Sequence, residues 1–223
     1  MFKFVHAWQP GDSWEPLAAN GFIGIECPAM APAANLPTGV RVVGLDSVTL
    51  IDSAEGVAMV ADAPDVAPAY SIDFYTDSSA ASEMGEMLRE TVADYPPGCL
   101  VLASNAVRRT PAARVLWDIL EAARHPQVKA ALDIDAAQAV GERAAVLVPT
   151  LNLRIGVVRA GHIEAELADY ARRLAGIGFD GYIVTDPPAG PDRAAASLAI
   201  AAAFRAVLPP VKPVKKTPAK VVK

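Results

Sequence analysis

A short apolar run, Arg154-Ile155-Gly156-Val157-Val158-Arg159-Ala160-Gly161, ends on an arginine followed by a glycine and His162. An arginine closing a buried strand is a permanent cation set beside whatever polar groups share that end. The pattern recurs along the chain, where runs rich in Val, Ile, Leu and Phe finish on residues able to do chemistry. These are His6 and Trp8, Glu26 and Cys27, Asp46, Asp73 and Tyr75, Ser104 and Asn105, Asp133 and Asp135, Arg159 and His162, and Thr185 and Asp186. Carboxylates and imidazoles move protons or hold metals, and amides, hydroxyls and indoles bind polar ligands. If these ends converge on one mouth, five or more carboxylates repel one another unless a positive charge sits among them. A divalent cation would supply it, and so would Arg159.

The elements that must position these residues alternate. Strand candidates are FKFVHA, FIGIEC, VRVVGLD, YSIDFYT, CLVLASN, VKAALDID, LRIGVVRA and YIVTD, several apolar on both faces as buried parallel strands are. Between them lie the helix-like runs SSAASEMGEMLRETVADY, TPAARVLWDILEAARH, AELADYARRLAGI and DRAAASLAIAAAFRAV. Thr110-Pro111 offers a cap residue and a first-turn proline for the second of these. Segments 28–38 and 52–66 are weaker helices, the latter shortened by Pro64 and Pro68. A repeat frames the whole: LAANGFIGI from Leu17 and LAGIGFDGY from Leu174 share Leu-Ala-x-x-Gly-Phe-x-Gly. Each reads as a helix ending on a glycine free to take positive φ, a Phe plug, and a second glycine entering a strand. Eight strands at roughly 26 residues per unit predict a compact (β/α)8 TIM barrel, with function at the carboxyl ends of the strands. The competing open doubly wound sheet calls for a Gly-rich phosphate turn after the first strand, and HAWQPGDSW is not one.

Composition sets the bounds. The chain has 223 residues, 52% hydrophobic, enough for one sizeable core, and only 6% aromatic, so Ala, Val, Leu and Ile fill it. Five lysines and no acid lie in the tail VLPPVKPVKKTPAKVVK, so a net charge of −5 leaves −10 on the rest. That acidic body argues against nucleic-acid binding. A barrel domain over 1–208 and a short, disordered, basic Pro/Lys-rich tail over 209–223 are expected. Cys27 and Cys99 make neither a disulfide framework nor a zinc knuckle, which points to a reducing compartment. The start, MFKFVHAWQP, has no signal-peptide pattern, and the apolar stretch AAASLAIAAAF is too short to span a bilayer. A cytoplasmic protein without membrane association is expected, its oligomeric state left open.

The order of segments resembles the xylose isomerase-like TIM barrels of the sugar phosphate isomerase/epimerase family. ARHPQVKAALDIDAA is similar to that family's sixth-strand segment, LRIGVVRAG to its seventh, GFDGYIVTDPP to its eighth, and GFIGIE and GVRVVGL to its second and third. The resemblance covers about 200 residues, everything except the tail. It implies a small polyhydroxylated substrate and one divalent metal (Mn, Zn, Co or Mg). The metal polarises carbonyl and hydroxyl oxygens while carboxylates move a proton. The family's metal ligands come from strands five to eight as Glu, Asp, His and Glu. Carried over, they fall on Ala103 or Ser104, on Asp133, on Arg159, and on Asp186 or Thr185; the family's substrate-facing histidine falls on Ala136. Two of the four ligands are absent, and a guanidinium, which has no lone pair to give, replaces one. The resemblance therefore implies Asp133, Arg159 and Asp186 as the reacting group, with Asp133 and Asp186 the remaining metal ligands. His6, Trp8, Glu26, Asp46, Asp73, Asn105 and His162 are the expected substrate contacts. His162 with Asp135 or Asp73 is the set from which a metal site could be rebuilt; His125, after a helix, belongs to the opposite face.

Each residue also has a plainer role. Asp133 also reads as the cap of the next helix, Asp186 as part of an Asp-Pro-Pro turn, Arg159 as a bridge between acids, and His6 and Trp8 as rim packing. Glu26 fits the mouth and ordinary strand-end packing equally, Cys27 and Cys99 read as small buried apolar residues, and Met59, Met84 and Met87 as core. Whether the protein is an enzyme stays open between two readings. One is an isomerase or epimerase; the other is a non-catalytic relative, a pseudoenzyme kept for binding a ligand or another protein. A third reading, a glycerophosphodiester phosphodiesterase-like barrel, matches GFDGYIVTDPP but lacks the Arg after His6 and the Glu-x-Asp at Glu26-Cys27-Pro28.

Overall fold

The computed structural model describes residues 2–28, 40–46, 66–71, 78–106, 111–163 and 166–208. Eight parallel strands run β1 (Lys3–Ala7), β2 (Phe22–Pro28), β3 (Val42–Asp46), β4 (Val66–Ser71), β5 (Leu100–Ser104), β6 (Val128–Asp133), β7 (Ile155–Ala160) and β8 (Tyr182–Thr185). Each pairs with the next, and β1 pairs with β8, so the sheet closes into a barrel. The described helices are α1 (Glu15–Ala19), α2 (Ser78–Thr91), α3 (Ala113–Ala123), α4 (Ile134–Ala139), α5 (Ala144–Leu151), α6 (Leu167–Gly176) and α7 (Arg193–Arg205). The tail from 209, the weak helix candidate 52–66 except its last residue, Asp73 and Tyr75 lie outside the described residues. Among the described residues, no helix is long and apolar enough to cross a membrane.

Strand alternation divides the core into two shells. Val5, Ala7, Val43, Leu102, Ala131, Val157 and Val184 meet one another inside the barrel. Their neighbours in sequence, such as Phe4, Val101, Leu132, Val158 and Ile183, pack outward against the helices. This parity decides which strand-end residues share the mouth. Ser104, Asp186, Asp133 and Arg159 follow the inward series of their strands, and Glu26 joins them because the register of β2 against β1 shifts after outward-facing Phe22 and pairs Glu26 with inward Ala7, whereas His6 and Thr185 follow the outward series.

The repeated Leu-Ala-x-x-Gly-Phe-x-Gly units close the structure on itself. Leu17 and Leu174 are fully buried, and Gly21 and Gly178 take φ of +77° and +70°, a turn that L side chains resist. Phe22 and Phe179, one residue on, pack against Phe4 at 5.8 Å and Phe2 at 6.3 Å, with Phe204 completing the cluster. The two units meet because β1 lies between β2 and β8, a consequence of barrel closure.

Three boundaries differ from the sequence expectation. β4 begins at Val66 rather than Tyr70 and carries Pro68 inside it. Its register against β5 shifts between Val66 and Ala69, where the missing proline N–H interrupts the ladder. The sixth strand stops at Asp133 instead of Asp135, because the Asp133 carboxylate accepts the Ala136 N–H at 2.8 Å and starts α4. The first turn of α3 is held not by a local cap but by buried Glu142, 30 residues on, whose carboxylate accepts the N–H groups of Ala112 at 2.7 Å and Ala113 at 2.8 Å; Thr110 lies outside the described residues. The apolar helix α5, with Pro149 in its last turn, has no amphipathic period to announce it.

The α3 cap gives a stability prediction. Glu142→Ala strands two buried N–H groups and is expected to lower unfolding free energy by about 2–4 kcal/mol in urea titration. Glu142→Gln, whose amide oxygen still accepts one N–H, loses less.

Candidate functional site

The mouth is organised by Arg159 near the end of β7. Its Nη1 donates to Asp186 Oδ2 at 2.9 Å, just past β8, and its Nη2 donates to Glu26 Oε2 at 2.5 Å, on β2. β7 and β2 stand three strands apart around the ring, with β8 and β1 between them. The guanidinium thus crosses the barrel opening. It is 18% exposed and Glu26 6%, so the charges meet in a largely desolvated place, where ion pairs are short and directional. Asp133 lies beside Arg159 in strand register. Burial pushes its carboxyl up from the usual carboxylate range, although the Ala136 N–H and the Arg159 charge pull the other way.

A second arginine, at the start of α7, completes the frame. Arg193 opens α7 and is 3% exposed. It donates to the Ala7 carbonyl at 2.6 Å, to the Pro187 carbonyl, and to Asp12 at 3.3 Å, and lies 3.6 Å from Asp186 Oδ1. It ties the ends of β1 and β8 to the turn holding Asp12, which also accepts the Gln9 N–H at 2.8 Å. A lone arginine in an Asp-Arg-Ala-Ala-Ala stretch carries no sequence signal for this; its partners are set by closure of the ring.

His6 sits outside the mouth proper. It is fully buried and bonded through Nδ1 to Ser197 of α7 at 2.9 Å and through Nε2 to Asp12 at 2.8 Å. Asp12 only accepts, so Nε2 carries the proton and Nδ1 accepts from the Ser197 hydroxyl, which in turn accepts from Thr185 Oγ1 at 2.9 Å. Every proton in this chain has a place when His6 is neutral. Burial is the largest influence on His6 and holds its pKa below the usual 6.5, against the Asp12 hydrogen bond and charge, which raise it.

The remaining candidates are distributed as follows. Asn105 clamps the backbone of Asp133, its Oδ1 accepting the Asp133 N–H at 2.6 Å and its Nδ2 donating to the Asp133 carbonyl at 3.0 Å. Ser104 Oγ accepts the Ala106 N–H at 3.2 Å. Trp8 packs against Ile25 and Cys27 outside the strands, its Nε1–H without a partner among the described residues. Asp46 is the last residue of β3. His162 is half exposed and bonds Asp135 Oδ2 at 3.1 Å. His125 follows α3, away from these groups, and Cys27 and Cys99 are buried free thiols.

The positions that the resemblance assigns to a metal do not form a ligand set. Ala103 has no donor atom and the alternative Ser104 hydroxyl accepts the Ala106 N–H, Asp133 Oδ1 is committed to Ala136, Arg159 is a cation, and Asp186 is paired to it. Thr185 faces Ser197 and the Val5 carbonyl instead of the mouth. Among the described residues, no three His, Cys, Asp or Glu side chains converge as metal ligands.

No family model matches the sequence, and no curated protein is similar to it. Solved structures are. A D-psicose 3-epimerase from Clostridium cellulolyticum H10, solved with D-tagatose, superposes with a TM-score of 0.63 at 14% identity, over 93% of this chain and 99% of that one. The 3-keto-D-glucoside 4-epimerase of E. coli gives 0.64 at 13% identity, over 92% and 100%. A probable 3-DHS dehydratase from Bacillus anthracis gives 0.61 at 12% identity, over 92% and 99%. The chain shares the fold of the sugar-epimerase TIM barrels. At these identities the likeness is one of fold.

Arg159→Met removes the guanidinium that Glu26 and Asp186 face in a largely desolvated place and is expected to cost about 3–5 kcal/mol in chemical denaturation, with much of the loss recovered in the Arg159→Met/Glu26→Gln double variant. His6 binds its proton more weakly folded than unfolded, so unfolding takes up a proton below pH 6.5. The stability from this group is complete above that pH and is lost as pH falls toward the lower folded-state value. Melting curves between pH 7.5 and 5 should show a slope that His6→Gln reduces.

Proposed function

We propose that the barrel mouth binds a small polyhydroxylated carbonyl compound of the sugar class and promotes proton transfer next to its carbonyl, as an isomerase or epimerase does. The observation that carries this reading is the Arg159 clamp among Glu26, Asp186 and Asp133. It places a fixed cation and several carboxyl groups at the carboxyl ends of the strands, where barrels of this kind do their chemistry. The epimerase and dehydratase folds that the chain resembles support the same class of substrate.

In this reading the guanidinium takes the place of the divalent metal. It supplies the positive charge that a developing enolate oxygen needs, from donors already held in position by two acids. Glu26 and Asp186 present acceptor oxygens to ligand hydroxyls. Burial raises the Asp133 carboxyl from the usual carboxylate range, which makes it a better proton acceptor than an exposed aspartate. Asn105 fixes the backbone from which Asp133 projects. The alternative of a non-catalytic relative keeps the same pocket chemistry and omits turnover.

The experiment is calorimetric titration of the full chain with D-psicose, D-tagatose and D-fructose, followed by assay for conversion with and without chelator. Binding is expected, with conversion insensitive to chelator, and Arg159→Gln should weaken turnover by about 100-fold or more. Binding without conversion selects the non-catalytic alternative. Conversion that requires added Mn or Co would sink the guanidinium reading.

A further inference from the structure

We infer that His162, oriented by Asp135, is the proton-transfer residue of this mouth; the inference rests on the substrate reading above. Asp135 lies in the first turn of α4 and reaches across to the segment after β7. Its Oδ2 accepts two hydrogen bonds there, from the Gly161 N–H at 2.9 Å and from His162 Nδ1 at 3.1 Å. Asp135 has only acceptors to offer when ionised, so His162 carries its proton on Nδ1 and turns the Nε2 lone pair outward. That is the tautomer a general base requires, with a carboxylate behind it to stabilise the imidazolium once formed.

Three further observations separate this pair from an incidental surface contact. Gly161 is required for it: a Cβ there would stand 2.5 Å from Asp135 Oδ2 and 2.8 Å from the Asp186 carbonyl, so only glycine lets the carboxylate approach the backbone. The Asp135 Oδ1 atom is buried and has no hydrogen-bond donor among the described residues, which leaves the charge available to the imidazole. The imidazole itself is 54% exposed, unlike that of His6, and stands three residues past Arg159 on the mouth side of β7. A base and the cation that would stabilise the product of its action are therefore carried by one strand end.

The step balances without an oxidant or reductant. The C–H bond next to the substrate carbonyl breaks, and its proton passes to His162 Nε2. The electron pair forms the carbon–carbon double bond of an enediolate, whose oxygen takes the negative charge beside Arg159. Returning a proton from the imidazolium to carbon restores the carbonyl, and Asp135 stays ionised throughout. Asp135 is a positioning residue in this scheme.

The test is exchange of carbon-bound hydrogen for deuterium in D-psicose and D-fructose, incubated in D2O with the full chain and followed by NMR. His162→Gln is expected to lower the exchange kcat by about 100-fold or more with KM within about threefold. Added imidazole should restore part of the rate to His162→Ala, and Asp135→Asn should lower kcat by about tenfold, while His125→Gln exchanges at the wild-type rate. Exchange that survives His162→Gln undiminished overturns the inference and leaves the substrate reading standing. So does calorimetric binding of the sugars with no exchange in the wild type. If neither sugar binds the wild type, the substrate reading fails and takes this inference with it.

Discussion

One ion pair network, centred on Arg159, sets the character of the barrel mouth. A cluster of inward-facing carboxylates at the end of a parallel barrel is self-repelling, and something positive must be built into it for the chain to close. Here the positive charge is covalently part of β7 and bridges to β2 and to the residue after β8. Such a pair adds little net stability over apolar packing, because desolvating three charged groups offsets their attraction. Its value is geometric. It fixes where two acids point and keeps a cation in the opening whatever the solvent contains.

The rest of the mouth is arranged around polar groups that satisfy one another instead of waiting for an outside partner. The start of α4 is occupied by Asp133, the start of α3 by Glu142, and the β1–β8 junction by Arg193. The His6–Ser197–Thr185 chain lies in the outer shell between strands and α7, and its complete hydrogen bonding with a neutral imidazole fits a structural role there. Against this background the Asp135–His162 pair stands out, since it alone joins a half-exposed imidazole to a carboxylate with a buried oxygen lacking a donor among the described residues.

Much of this architecture is legible in the sequence for local reasons. Apolar runs bounded by turn residues mark strands, and the repeated glycine–phenylalanine units mark equivalent helix-to-strand joints. The departures are equally physical. Pro68 reads locally as a stop to the weak helix before it, whereas it lies inside β4, where a register shift against β5 absorbs it. The cap of α3 comes from a residue 30 positions away, which no local motif can announce. Arg193 and Asp12 are missed because neither sits at a strand end; the closed ring brings the turn after β1 against the start of α7.

The sequence by itself determined the alternation of strands and helices, because hydrophobic period and turn chemistry are local properties of the chain, but it carried Asp135 into the sixth strand, where the structure opens α4 instead. Only the tertiary structure decided which strand-end residues share a space. A side chain's face depends on strand register and barrel closure, so a slip of one residue would turn Glu26 outward and His6 inward. Contacts such as Glu26 with Arg159, 133 residues apart, exist only once the ring has closed.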